Sequence, residues 1–194
     1  MIRARALERR LGGKRVIRDL DLDVSRGECV VVVGPNGSGK STLLALLAGL
    51  LVPTAGTLDV GVERREVGYL AHEPLLYREL TALENLDLYG RLYRVRERRE
   101  RIGMLLERFD LWEARRERVA ALSRGMAQRL ALCRVLLHDP RLLLLDEPHS
   151  ALDRAGGELL DGELAALAGE RTLVVATHEP ERLHVLGTQE LALA

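Results

Sequence analysis

The sequence predicts an α/β domain whose mixed sheet has parallel central strands, flanking antiparallel strands and an inserted α-helical segment. Three short apolar runs, at residues 29–33, 142–146 and 172–176, have the composition of buried parallel strands. Helical patterns separate or follow these runs, as an α/β sheet requires. Residues 74–129 carry helical patterns and no strand signal. The 194 residues are therefore expected to form one such domain.

The N-terminal elements are predicted in the order strand, strand, glycine loop and helix. Residues 17–24 alternate apolar with charged side chains, which is typical of a half-exposed strand in a flanking antiparallel sheet. The β-branched run at 29–33 ends at a glycine, and residues 40–51, rich in leucine and alanine, indicate a buried helix. A strand, a glycine loop and a helix thus follow one another directly.

The helical segment is predicted to form a subdomain. It contains three helical stretches, and the first begins with a capping box in which Thr81 is followed by Glu84 three residues later. We therefore divide the chain into an α/β core, residues 1–73 and 130–194, and an α-helical subdomain, residues 74–129. No repeat or glycine- and proline-rich linker separates the two, so they are expected to form one compact unit.

The composition excludes several classes of protein. Lysine plus arginine and aspartate plus glutamate number 29 each, so no broad positive field favours a nucleic-acid partner. No stretch reaches the roughly 20 apolar residues that cross a bilayer, and the first residues do not lead into a signal peptide, so we expect a cytoplasmic protein. The two cysteines, Cys29 and Cys133, lie in apolar patterns and are interpreted as core thiols.

A glycine-rich pattern, G-x-x-x-x-G-K-[ST], lies between the strand at 29–33 and the following helix. It consists of Gly34, Pro35, Asn36, Gly37, Ser38, Gly39, Lys40, Ser41 and Thr42. Glycines allow backbone N–H groups to point at phosphate oxygens, and the helix start adds partial positive charge. We expect Lys40 to reach the β- and γ-phosphates of ATP and the Ser41 hydroxyl to bind Mg²⁺. The alternative is a glycine-rich turn with no ligand.

Two carboxylates follow the leucine run at 142–145. Asp146 and Glu147 would stand at the carboxyl end of a buried strand, where open α/β sheets bind their ligands. Burying both acids without a counter-charge would be costly, and Mg²⁺ bound to ATP supplies that charge. Asp146 would help to hold Mg²⁺, and Glu147 would accept a proton from the attacking water as the general base. The alternative is that both acids cap the next turn.

Further motifs resemble those of the ABC (ATP-binding cassette) ATPases. Residues 122–129, Leu-Ser-Arg-Gly-Met-Ala-Gln-Arg, resemble the family's signature before the acidic strand, and residues 150–153 resemble the D-loop after it. His178, which follows the strand at 172–176, resembles the switch histidine of the family. The resemblance covers essentially the whole chain, with the motifs in the family's order. It implies that the chain is an ABC-type P-loop ATPase.

The resemblance also implies a mechanism. Two copies would pair head to tail in an ATP-dependent homodimer, with each ATP between the phosphate loop of one copy and the signature of the other. Ser123 and the Gly125 backbone, at the start of a helix, are chemically suited to meet a γ-phosphate. Asp153 would lie near the same nucleotide, and His178 would contact the γ-phosphate and position water or Glu147. As a lone histidine, His178 has the alternative of an ordinary packed or surface side chain.

Several residues differ from the family's pattern. The aromatic residue that stacks on adenine falls on Leu11, so at best aliphatic contact replaces stacking. Arg124 and Met126 replace a glycine and a glutamine of the signature. The loop glutamine that senses Mg²⁺ falls on His72, with Glu73 as the alternative candidate and a solvated loop histidine as the non-functional one. Residues 69–86 resemble the ATP-binding subunit of the haem exporter in cytochrome c maturation. Drug-export ATPases, however, share the Ser-Arg-Gly-Met type of signature found at residues 123–126.

These features predict the ATP-hydrolysing subunit of an exporter. Its partner would be a separate integral membrane subunit, docked on a groove between the helical segment and the loop around His72, which would place the chain on the inner face of the cell membrane. The transported molecule is expected to be haem or, alternatively, a drug or other small molecule. A soluble ABC ATPase of the iron–sulfur assembly type is a further alternative, and a P-loop kinase of small metabolites is a third.

Overall fold

A parallel sheet of five strands forms the centre of the molecule. The computed structural model describes residues 1–186 and 189–193. Its strands are β3 (Cys29–Val33), β5 (Val67–Leu70), β6 (Leu142–Asp146), β7 (Thr172–Ala176) and β8 (Gln189–Ala192). The sheet order is β5-β6-β7-β3-β8, and each neighbouring pair is parallel. The three apolar runs therefore form adjacent central strands, as the sequence predicts.

A separate antiparallel sheet flanks the parallel one. It contains β1 (Ile2–Leu11), β2 (Lys14–Val24) and β4 (Ala55–Val60) in the order β2-β1-β4. The strand predicted at 17–24 thus begins three residues earlier, because the turn at Gly12 and Gly13 connects it directly to β1. Parallel and antiparallel strands are hydrogen-bonded as two sheets rather than as one continuous mixed sheet.

In the described part of the chain, five α-helices cover the sheets. They are α1 (Lys40–Leu47), α2 (Ala82–Leu92), α3 (Arg98–Arg108), α4 (Arg124–Leu136) and α5 (Arg154–Leu167). The helix predicted at 40–51 ends at Leu47, because Gly49 adopts a left-handed conformation (φ 68°) that stops the helix. The prediction missed this glycine as a stop signal.

Apolar side chains form two layers, one on each face of the parallel sheet. Successive residues of one strand alternate between them: Leu143 belongs to the layer under α2, α3, α4 and α5, and Leu144 to the layer between the two sheets and α1. Both cysteines are buried free thiols within these layers, and burial raises the pKa of Cys29 to about 11. Among the described residues, no helix has the length and apolar character needed to cross a membrane.

The helical segment contains α2, α3 and the first turns of α4. Thr81 and Glu84 form the expected reciprocal capping box at the start of α2, with Thr81 N–H donating to the Glu84 carboxylate at 2.8 Å. Helix α4 runs through the expected boundary at 129/130 and contacts β5 as well as α2 and α3. The boundary thus falls inside a continuous helix, and the division of the chain into core and subdomain stays a prediction.

Candidate active site

A cleft of about 500 Å³ lies at the carboxyl edge of the parallel sheet. Its walls come from the loop after β3, the loop after β5, the end of β6 and the segment after β7. Parallel strands collect ligands at this edge because the loops after neighbouring strands converge there. The sequence predicts a site in the same place.

The loop between β3 and α1 requires glycine at two positions. Gly34 has φ 152°, and a Cβ there would lie 2.6 Å from the Ser38 hydroxyl oxygen. Gly39 has φ 104°, and a Cβ would lie 2.9 Å from the Val16 carbonyl oxygen. Gly39 is also the N-cap of α1, so no side chain accepts a hydrogen bond from the first amides of this helix. These amides are suited to bind an anion.

Lys40 supplies a positive charge next to this loop. It is the first residue of α1, and its side chain is buried, with 7% of the residue exposed. Its Nζ donates hydrogen bonds to the carbonyl oxygens of Gly34 (2.7 Å) and Pro35 (3.4 Å). No ion pair to Lys40 is found among the described residues. The ammonium group is therefore neutralised by no carboxylate and is suited to pair with phosphate oxygens.

Asp146 supplies a buried negative charge on the opposite wall. The residue ends β6 and is 2% exposed, and its Oδ2 atom has no hydrogen-bond partner among the described residues. Burial, followed by the Asp146 charge, raises the pKa of the neighbouring Tyr69. A buried carboxylate oxygen without a partner is unfavourable unless a cation or donor reaches it. Asp146 and the Ser41 hydroxyl, which lines the same cleft, therefore fit a hard cation such as Mg²⁺.

Glu147 and His178 contact each other in the wall of the same cleft. The Glu147 N–H donates to the Ala176 carbonyl oxygen at 2.8 Å, and Glu147 adopts a left-handed conformation (φ 49°). Its Oε1 atom lies 3.1 Å from His178 Nε2, and its Oε2 atom accepts a hydrogen bond from the backbone N–H of His178 at 3.2 Å. The pair thus joins the ends of β6 and β7. A carboxylate beside an imidazole in a cleft is suited to accept a proton and orient water.

His72 and Leu11, two predicted site residues, lie in different places relative to the cleft. His72, after β5, lines the cleft, whereas Glu73 does not. Leu11 lies at the end of β1, is 40% exposed and is not a lining residue of the cleft. Val16 on β2 lies in the cleft wall instead. Val16 could not be predicted from the sequence, because nothing in a strand of alternating residues marks which apolar side chain meets the neighbouring loop.

Three other predicted binding residues lie outside the cleft of their own chain. Ser123 is the N-cap of α4 and accepts the Met126 N–H at 3.2 Å. Gly125 approaches the next loop closely, since a Cβ there would lie 3.0 Å from the Ala151 carbonyl oxygen. Asp153 is the N-cap of α5 and accepts the Gly156 N–H at 2.8 Å. None of these residues is a lining residue of the cleft.

Comparison with known proteins identifies relatives of this arrangement. Residues 17–150 match the model of a family described as ABC transporter. The chain is 43% identical over 169 residues to an uncharacterized ABC transporter ATP-binding protein of Bacillus subtilis, YxlF, covering 84% of this chain and 57% of that protein. It is 39% identical over 182 residues to a daunorubicin resistance ATP-binding protein of Streptomyces coeruleorubidus, covering 88% of this chain and 58% of that protein.

A solved structure has the same fold over the whole chain. This dimeric ATP-binding cassette, in a post-hydrolysis state with ADP and Pi, superimposes with a TM-score of 0.88 at 29% identity, covering 100% of this chain and 94% of its own. The chain spans less than two thirds of the length of the two curated relatives named above.

Proposed function

Because the chain belongs to the ABC transporter family, we propose that it binds and hydrolyses ATP and powers transport through a separate membrane subunit. The observation that carries the proposal is the convergence of an ammonium group, two carboxylates and the imidazole that contacts one of them on a single cleft. These groups come from Lys40, Asp146, Glu147 and His178. The solved relative with ADP and Pi supports the same chemistry.

Each group has a role in this proposal. The loop at 34–42 binds the phosphates through its backbone amides, and Lys40 neutralises the β- and γ-phosphates. Ser41 and Asp146 would hold Mg²⁺, with His72 close by, and the ion would offset the phosphate charge. The described residues contain no cluster of three or more His, Cys, Asp or Glu side chains that could hold a metal, so nucleotide oxygens would complete the coordination.

Glu147 is the proposed general base. Its carboxylate is 17% exposed and is held by His178, so it is fixed in place yet reachable from the cleft. It would accept a proton from the water that attacks the γ-phosphate. His178 would orient that water and Glu147, since its imidazole contacts one carboxylate oxygen and its backbone N–H donates to the other.

A second copy would complete the site. Ser123 and Gly125 have the chemistry to bind a γ-phosphate but lie outside the cleft of their own chain. A head-to-tail homodimer would bring them to the ATP of the partner, with Asp153 near the same interface. The dimeric relative supports this arrangement. Leu11 would then contact adenine only if the nucleotide extends beyond the cleft past Val16.

A groove of about 480 Å³ is the proposed docking surface for the membrane subunit. It lies between α2 and the loop after His72, and it includes the exposed side chains of Leu50, Leu75 and Leu92. Tyr89 and Tyr93 of α2 form one wall. An apolar groove with aromatic walls and exposed leucines suits an amphipathic helical segment.

Arginines give the groove a positive charge. Arg64, Arg65 and Arg134 line it, and no carboxylate is among the described residues in its wall. Arg134 is 5% exposed and donates one hydrogen bond, from Nη2 to the Tyr69 carbonyl oxygen at 3.0 Å, while its Nε atom has no partner. Burial lowers the Arg134 pKa. An acidic side chain of the docking segment would stabilise this guanidinium.

We propose a general class of transported molecule and, within it, one specific candidate. Export of a drug or other small molecule is favoured by the daunorubicin resistance relative. Haem export, the more specific prediction, rests on His72 and the resemblance of residues 69–86, and neither of the two curated relatives named above supports it. An ATPase that works without a membrane subunit, as in iron–sulfur assembly, remains the alternative from another class.

Purification of the tagged chain from gently solubilised membranes tests the membrane role. The wild type should bring down one polytopic membrane subunit, and Leu50→Asp should lose it because a buried charge would enter the groove. Val52→Asp is the matched control, since Val52 is 72% exposed and does not line the groove. Both variants should retain basal ATP hydrolysis. Recovery of soluble partners alone would favour the iron–sulfur type of ATPase.

A further inference from the structure

We propose that His149, Asp161 and Arg182 are positioning residues that fix Glu147 and His178 relative to each other. The proposal rests on the proposed hydrolysis of ATP, in which Glu147 and His178 act together. None of the three residues lines the cleft. They act through the two backbone segments that carry the reactive side chains.

One carboxylate joins the three residues. His149 Nε2 lies 2.7 Å from Asp161 Oδ1, and Arg182 Nη2 donates to Asp161 Oδ2 at 2.6 Å. The His149 side chain is buried at 7% exposure, whereas Asp161 and Arg182 are about one third exposed. Asp161 lies on α5, so this helix is the anchor for both neighbours.

The contacts close a ring around the reactive pair. His149 is two residues after Glu147, and Arg182 is four residues after His178 in the 3-10 segment Pro180–Leu186. Glu147 and His178 touch directly at one side of the ring, and Asp161 bridges the two segments at the other. The end of β6 and the segment after β7 are therefore tied together twice.

Helix α5 leaves space for this bridge. A Cβ at Gly157 would lie 2.8 Å from Arg182 Nη2, so a larger residue would push the guanidinium away from Asp161. Arg182 also lies 3.8 Å from Glu179, on the same segment. The two carboxylates raise the Arg182 pKa, with the hydrogen bond to Asp161 as the main cause.

The reactive pair needs such support. Glu147 is held at φ 49°, a conformation that a non-glycine residue keeps only when its surroundings impose it. The His178 side chain is 50% exposed, and its contact with Glu147 holds it at only one end. A segment freed from α5 would let His178 move away from the position that orients water. Displacement of a reactive group by about 1 Å lowers turnover by up to ~10²-fold.

The first test measures ATP turnover. Asp161→Asn and Arg182→Gln should each lower kcat about tenfold, less than the full effect of displacement because the bridge is partly exposed, with KM for ATP within about twofold. His149→Ala should do the same, and His149→Gln should recover most of the loss because its amide N–H can still donate to Asp161. Arg154→Gln is the control, since it breaks an exposed ion pair with Glu158 on the same helix.

The second test follows the His178 imidazole directly. The chain contains five histidines, so their ring nitrogens can be assigned by NMR in the unliganded protein. The His178 signals should shift in Asp161→Asn and Arg182→Gln and remain unchanged in Arg154→Gln. This readout does not require ATP hydrolysis.

The outcomes separate the two proposals. If the wild type hydrolyses ATP while both Asp161→Asn and Arg182→Gln keep normal kcat and an unmoved His178 signal, the bridge has no positioning role. If the wild type does not hydrolyse ATP but His178 still shifts in these variants, the bridge is supported and the proposed function fails. Arg182→Lys, which keeps the ion pair, covers the case in which Arg182→Gln does not fold.

Discussion

The cleft at the carboxyl edge of the parallel sheet and the groove proposed for docking are similar in size but differ in charge. Their volumes are about 500 and 480 Å³, and both contain buried cationic side chains. In the cleft, Lys40 faces Asp146 and Glu147, whereas in the groove Arg134 faces tyrosine rings, its guanidinium carbon lying 5.3 Å from the centre of Tyr89. The cleft thus contains the groups that the proposed reaction needs, and the groove contains the apolar and cationic side chains that suit the proposed membrane subunit. Residue types in the sequence therefore predict the cleft far better than they predict the groove.

Loss of the proposed base should have the largest effect. Glu147→Gln removes the proton acceptor but keeps the size of the side chain, so ATP turnover should fall by about 10²- to 10⁴-fold. ATP binding should persist, and the variant should accumulate as an ATP-bound dimer, measured by size-exclusion chromatography. Glu73→Gln is the control, because Glu73 does not line the cleft. Normal turnover by Glu147→Gln would remove this residue from the role of base.

Asp146→Asn should separate stability from activity. The buried Oδ2 atom has no partner in the described part of the chain, so replacing the charge with an amide should stabilise the unliganded protein by about 1 kcal/mol. The same change should also remove most ATP hydrolysis activity, so that added Mg²⁺ no longer increases turnover. Thermal unfolding without nucleotide and turnover across a Mg²⁺ titration measure both effects. A destabilised free protein would contradict the account of an uncompensated charge.

His72→Gln should affect the connection between cleft and groove. His72 lines the cleft, and Leu75, three residues later, lines the groove, so one loop reaches both. The variant should change transport by the reconstituted complex more than basal hydrolysis, which should stay within about threefold of the wild type. Glu73→Gln again serves as the control. A large loss of basal hydrolysis would assign His72 to the reaction itself.

The smallest effect is expected for His138, which packs against Tyr93 in the wall of the groove. Its ring stacks on Tyr93 with centroids 3.9 Å apart, its Nε2 lies 3.2 Å from the Val67 carbonyl oxygen, and burial lowers its pKa. Below the unfolded value of 6.5, the unfolded chain therefore takes up a proton that the folded chain resists, and stability falls as the pH decreases. Urea unfolding between pH 8 and 5 should show a smaller decrease for His138→Gln. Equal decreases would exclude this contribution.

Much of the fold could be predicted because its signals are local. The strands Cys29–Val33, Leu142–Asp146 and Thr172–Ala176 are apolar runs buried on both faces, and their predicted limits are confirmed residue for residue. The end of α1 was predicted four residues too late, because leucine and alanine continue to Leu51 while Gly49 stops the helix. Helix propensity alone does not show where a helix ends.

The candidate site also contains both residues that could be predicted from the sequence and residues that could not. The loop at 34–42, Asp146 and Glu147 could be predicted because each follows directly from a strand in the sequence. The contribution of Val16 and the bridge from His149 to Arg182 could not, because they depend on how distant elements pack. Asp161 sits in an ordinary helical pattern, and only the structure brings it between two loops that are separated by about 30 residues.

The most direct test of the composite ATP site mixes two inactive variants. Lys40→Ala should lose nucleotide binding in its own cleft, and Ser123→Arg should block the cleft of its partner, so each homodimer should be inactive. In a mixed dimer, the intact cleft of the Ser123→Arg chain meets the intact Ser123 of the Lys40→Ala chain. Mixing the two purified variants should therefore restore ATP hydrolysis, measured as phosphate release. A mixture as inactive as its separate components would contradict a site shared between two chains.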